Sequence, residues 1–222
     1  MDFVYPNICI HCKVRVSDHD VLICEDCWYQ LPRNNLHTLY SGDRYLTKKK
    51  HFPFVTNRFI FGRSEYGEVV RELILLFKFS YYPFLHKKIG EEMADTVTNV
   101  PELAASDLLV PVPLHRARKR ERGFNQSELL AVSISERTGI PVDTSLERII
   151  NNRPQAMIGD KKEKEKNVKG IFEIKKTGDF KNKRVILIDD MFTTGATANE
   201  GAKVLKKSGA EEVYILTAAL AE

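Results

Sequence analysis

Apolar residues at Val69, Val70, Leu73, Ile74 and Phe77 follow the i, i+3, i+4 spacing of an amphipathic helix within the stretch Tyr66 to Met93. A break at Tyr81 to Pro83 ends that helix, and a second helix is expected after it. Further along, short apolar runs alternate with helical patterns. "DLLVPVPLH", Asp107 to His115, reads as a strand with prolines at its end. "FNQSELLAVSISERTG" carries Leu129, Leu130 and Ile134 on one face and stops at Gly139. "VILID", Val185 to Asp189, is unbroken in Leu and β-branched residues, as a buried strand requires. "TANEGAKVLKKSG" follows as a helix ending at Gly209, and "EEVYILTAAL" as another strand. Strand, helix and strand with short connections predict an α/β fold on a parallel sheet.

The 222 residues suffice for one such domain and a small appendage. With 43% hydrophobic and 29% charged residues, a disordered or fibrous class is excluded. The net charge of +4 is too small to name a nucleic-acid partner, so the distribution of charge matters more. No apolar run nears the roughly 20 residues of a membrane span, "LILLF" at Leu73 to Phe77 being a core segment. "MDFVYPNICIHC" is not patterned as a secretion signal, so a cytoplasmic location is expected. "SGDRYLTKKKHFPF", Ser41 to Phe54, reads as a linker, and "GDKKEKEKNVKG", Gly159 to Gly170, as a mobile exposed loop.

The four cysteines form two C-x-x-C pairs, Cys9/Cys12 and Cys24/Cys27, a spacing that favours metal over disulfides. Four thiolates close a tetrahedral zinc site at about 2.3 Å per sulfur and leave no open position, so the zinc would be structural. His11 is a substitute ligand that four cysteines make unnecessary, and redox exchange is the competing use of the motif. Trp28 and Tyr29, directly after Cys27, could stack on a base or pack the module against the main domain.

The chemistry concentrates in "VILIDDMFTTGAT". Thr193, Thr194, Gly195, Ala196 and Thr197 lie between a strand and a helix start, where first-turn amides lack intrahelical partners and suit phosphate. Asp189 and Asp190 accept hydrogen bonds only, and a ribose diol donates two. A 5-phosphorylated ribose satisfies both halves. The competing reading is an acid pair that merely caps a helix beside an ordinary turn. "LHRARKRERGFNQ" sets Arg116, Arg118, Lys119, Arg120 and Arg122 against one glutamate, Glu121, in a basic loop suited to phosphate oxygens or a DNA backbone.

"VILIDDMFTTGAT" resembles the 5-phosphoribosyl 1-pyrophosphate (PRPP) signature of type I phosphoribosyltransferases, spanning Asp189, Asp190, Met191, Phe192 and Thr193 to Thr197. Together with "PVPLHRARKRERGFNQ" and the cysteine pairs, it resembles the ComF family of competence-associated proteins over nearly the whole chain. The resemblance implies a zinc-ribbon module with linker over residues 1–60 and a phosphoribosyltransferase-like domain over 61–222. It implies PRPP with Mg as ligand, Asp189 and Asp190 as catalytic groups, and Arg118, Arg122 and Gly123 on the pyrophosphate side. By position, Asn152 to Phe172 resembles the family's closing loop, with Gln155 and Asn167 at matching positions. Lysines and glutamates occupy its middle, where an arginine would be expected, so a bare charged insertion stays open. Two functions remain open: handling of single-stranded DNA during natural transformation with a PRPP site retained, or phosphoribosyl transfer to a small acceptor. The first implies an inner-membrane DNA-uptake channel or helicase as partner and a peripheral membrane location.

Overall fold

The computed structural model describes residues 8–16, 22–33, 55–61, 65–79, 82, 85–152, 167–175 and 178–221. The expected linker Ser41 to Phe54, Gln155 and most of the charged stretch from Gly159 lie outside the described residues.

Four parallel strands form the main sheet in the order β1 (Val55–Phe61), β6 (Glu212–Ala221), β5 (Arg184–Phe192) and β2 (Leu108–Pro111). β5 is central because both of its faces are apolar. Ile186 and Ile188 pack into one core with Leu216 and Ala218, while Val185 and Leu187 pack into the other with Val213 and Ile215. This two-sided burial explains the unbroken apolar run read from the sequence. On the first face lie α2 (Glu65–Phe79), α3 (Leu85–Asn99), the short α4 (Pro101–Ala104) and α6 (Gln126–Thr138). The second is covered by α7 (Ala196–Lys207) and Phe172 and Phe180. β3 (Leu146–Arg148) and β4 (Phe172–Ile174) form a separate antiparallel pair at the two roots of the charged segment.

Three features differ from the sequence expectations. β1 pairs with β6 in register Val55↔Ile215, so the expected division after residue 60 falls inside a strand of the main sheet. The basic loop is a two-turn helix, α5 (Arg116–Arg122). His115 caps it by accepting from the Ala117 amide at 3.2 Å, and Gly123 ends it with φ of 85°, a conformation that side chains other than glycine resist. The β3–β4 pair has no signal in the sequence, because three-residue strands carry too little periodicity.

The cysteine-bearing segment packs directly on this core. Ile10 N–H donates to the Leu22 carbonyl, and α1 (Glu25–Tyr29) follows Cys24. Trp28, the only tryptophan, is 3% exposed and shares the first core with α3. Its indole N–H donates to Glu92 Oε1 at 3.0 Å, which Arg33 also reaches at 2.7 Å, and Lys88 pairs with Glu25 at 2.6 Å. Of the two expectations for Trp28, packing holds and base stacking does not; Tyr29 is 73% exposed.

α3 and α6 cross at very close range. A Cβ built on Gly90 of α3 would lie 2.4 Å from Ser133 Cβ of α6. α3 therefore carries the cysteine module on one side and touches on the other the helix that opens at the site.

Candidate functional site

Asp189 and Asp190 sit near the carboxyl end of β5, the edge at which parallel sheets place ligands. A cleft of about 220 Å³ there is lined by Asp189, Asp190, Met191, Phe192, Thr193, Thr194, Gly195, Ala196 and Thr197, together with Lys78, Ala198 and Thr217. The full predicted ligand loop thus surrounds one opening. Gly195 takes φ of 73° at the N-cap of α7, turning the chain from strand to helix without a Cβ. Phe192 is 2% exposed, so its ring belongs to the core and only its backbone can serve a ligand.

The two carboxylates are held differently. Asp189 Oδ1 accepts from Ser127 Oγ at 3.1 Å and from the Asp190 amide at 2.9 Å. Burial, then the neighbouring Asp190 charge, push the Asp189 carboxyl up to about 7, against the opposing pull of Lys78, the amide and the serine. Asp190 is 8% exposed and its Oδ1 meets Lys78 Nζ at 2.8 Å.

That raised value sets a pH dependence. The unfolded carboxyl titrates near 3.8 and the folded one near 7, so the folded state binds the extra proton between them. Stability should fall as pH rises through this window and level off above it. Asp189→Asn retains the acceptor oxygen and should flatten melting temperature between pH 5 and 8. An unchanged slope in that variant would assign the dependence to other groups.

Neither Lys78 nor Ser127 stands out in the sequence. Lys78 is polar on an otherwise apolar turn, "LFKF", and it lies far from any recognised motif. The end of α2 is fastened to the α5–α6 junction by three contacts. Phe77 stacks on Phe124 with centroids 6.3 Å apart; the Lys78 carbonyl accepts from Gln126 Nε2 at 3.1 Å; Arg122 lies over the Phe79 ring at 4.9 Å. Ser127 follows Asn125, whose side chain caps α6 by accepting from the Ser127 amide and donates to the Val112 carbonyl.

α5 sorts its cations by face. Arg116, Lys119 and Arg120 are exposed, whereas Arg118 and Arg122, one turn apart, are partly buried. Arg122 donates to Gln126 Oε1 at 2.7 Å, and burial lowers its pKa while Asp190 raises it. Arg118 donates to the Asn152 carbonyl at 2.6 Å and to Asn151 Oδ1 at 3.3 Å. Neither arginine nor Gly123 lines the cleft of the acid pair; they stand beside it. Asn152 also contacts Arg148 and donates to the Asn167 carbonyl, and Glu200 of α7 accepts from Gly170 N–H at 2.8 Å. Both roots of the charged segment are thereby tied to elements of the site.

The thiol sulfurs of Cys9, Cys12, Cys24 and Cys27 lie within 4.8 Å of one another, with Cys12 and Cys24 at 3.6 Å. A tetrahedral zinc with bonds of about 2.3 Å needs sulfurs about 3.8 Å apart, so the donor set fits that ion. Burial opposes the Cys9 thiolate, yet the amides of Cys24, Cys12 and His11 outweigh it and bring its pKa down to about 6. His11 is not one of the four converging donors.

The family model for the phosphoribosyl transferase domain matches residues 103–221, more than half of the sequence. The chain belongs to this family. It is 27% identical over 219 residues to Competence protein F of Haemophilus influenzae, covering 93% of this chain and 94% of that protein. It is 30% identical over 145 residues to Competence protein ComFC of Bacillus subtilis, covering 65% and 56%. With DNA utilization protein YhgH of Salmonella typhi the identity is 31% over 124 residues, 55% and 52% of the two chains. The ComF resemblance stands on these relatives, the transferase domain and the four-cysteine cluster together. The fold is that of type I phosphoribosyltransferases with an added N-terminal cysteine module. No helix among the described residues is long and apolar enough to cross a membrane.

Proposed function

We propose that the cleft binds PRPP with magnesium, and that the protein handles single-stranded DNA as a competence factor. The supporting observation is the convergence of the acid pair and the whole Thr193–Thr197 turn on one cleft of about 220 Å³. The 5-phosphate takes the backbone amides at the start of α7, where the helix dipole favours an anion. Asp190 and Asp189 accept from the ribose hydroxyls, and Arg118 and Arg122 face the diphosphate side. Magnesium would arrive on the diphosphate and hydroxyls with water, supplying positive charge with few protein ligands. The outward Arg116, Lys119 and Arg120 form the strip for a nucleic-acid backbone, and the names of the relatives support a role in DNA uptake or use. An inner-membrane channel or helicase is the partner class this role implies.

Melting in the presence of PRPP and magnesium tests the ligand. At 100 times its dissociation constant the ligand adds about 2.7 kcal/mol, a rise of several degrees at about 2 to 4 °C per kcal/mol for a chain of this size. Asp190→Asn should lose most of that rise. No shift in the wild type would retire the ligand assignment.

DNA binding has a separate readout. On single strands the logarithm of affinity should fall with the logarithm of salt by about 0.7 per phosphate contacted. Replacing Arg116, Lys119 and Arg120 by glutamine should reduce that slope by about 2 if all three touch phosphate. An unchanged slope would remove α5 from the DNA surface.

A further inference from the structure

Lys78 is the one cation lining the acid-pair cleft among the described residues, and it comes from a helix outside every motif recognised in the sequence. Its ammonium is 2.8 Å from Asp190, the carboxylate assigned to the ribose diol. Its carbonyl accepts from Gln126, whose Oε1 in turn accepts from Arg122, the arginine on the diphosphate side. Lys78 therefore stands between the sugar half of the cleft and the basic helix beside it. Its side chain is 21% exposed and lines the cleft, within reach of a ligand there.

We propose that Lys78 is the specificity-determining cation of the site, which resting against Asp190 compensates one charge of the acid pair and on ligand binding turns to the anionic group at ribose C1. This rests on the PRPP reading above. Carboxylate charge on this pair would repel a diphosphate arriving next to it. An ammonium that already compensates one of them, and can swing to an oxygen of the incoming group while the diol takes its place on Asp190, removes that repulsion. Lysine suits the task better than arginine, because a compact charge on a flexible stem can trade one partner for another. The consequence is discrimination: PRPP carries an anion at C1, ribose 5-phosphate does not, and both share the 5-phosphate and the diol.

The test measures dissociation constants for PRPP and for ribose 5-phosphate, each with magnesium, on the full chain by calorimetry. Lys78→Gln should lower the preference for PRPP over ribose 5-phosphate by about tenfold or more, the weight of one charge-assisted hydrogen bond. Lys78→Arg should restore part of it. The fastening of α2 survives these changes, since Gln126 bonds the Lys78 backbone rather than its side chain. Lys78→Met repeats the comparison without an amide beside Asp190. A merely structural lysine would weaken both ligands alike and leave the ratio unchanged, and that result overturns the inference while the PRPP reading stands. If the wild type binds neither ligand, the PRPP reading falls and this inference falls with it.

Discussion

Chelation of metal, or a Cys9→Ser substitution, is expected to shift Trp28 emission to longer wavelength and lower the melting temperature in the same experiment. The chain has one tryptophan, so the signal has a single source. Trp28 is 3% exposed between α1 and α3, with Glu92 receiving both the indole N–H and Arg33. Without a metal the four sulfurs share no common ion, and the clamp between the two cysteine pairs is lost. Release of the indole should cost about 3 to 5 kcal/mol, as for truncation of a buried tryptophan. Restoring zinc should return both signals. Unchanged emission after complete chelation would mean that packing alone holds the module in place.

Gly90→Leu should prevent stable folding, and Gly90→Ala should destabilise by about 1 to 3 kcal/mol, the usual range for an overpacked core. Alanine would ordinarily gain up to about 1 kcal/mol within a helix, but its Cβ would meet Ser133 Cβ at 2.4 Å. Ser133→Gly in the same chain should recover much of the loss, a coupling that a double-mutant cycle in urea measures directly. Ser133→Ala alone should be neutral or mildly stabilising, because Ser133 Oγ is buried without a hydrogen-bond partner among the described residues. If Gly90→Ala and Ser133→Gly prove additive, the helices separate more readily than their geometry implies.

The central strand was legible because both its faces are buried, which leaves no polar residue between Val185 and Ile188. The strand–turn–helix segment that lines the cleft is legible because one short stretch carries strand end, acids, glycine and helix start together. β1 escaped notice because "VTNRFIF" has neither strict alternation nor an unbroken apolar run, and its place is fixed by β6 rather than by its own sequence. α5 looks like a loop in the sequence since a strongly basic run has no apolar face; its cap at His115 and its stop at Gly123 are the local signals that make it a helix. Lys78 and Ser127 belong to the site through tertiary contacts alone. Neither is near the acid pair in sequence, so spacing had nothing to report about them.

The position of β6 has a consequence for how the chain is made. Residues 212–221 lie between β5 and β1, so the strands of residues 55–61 and 184–192 share a partner that leaves the ribosome after both of them. Until then each exposes an unpaired edge of the kind that joins foreign strands. Premature termination near residue 210 would strip the middle from the sheet rather than trim its border, and the product should go to chaperones or proteases instead of persisting as a shortened protein.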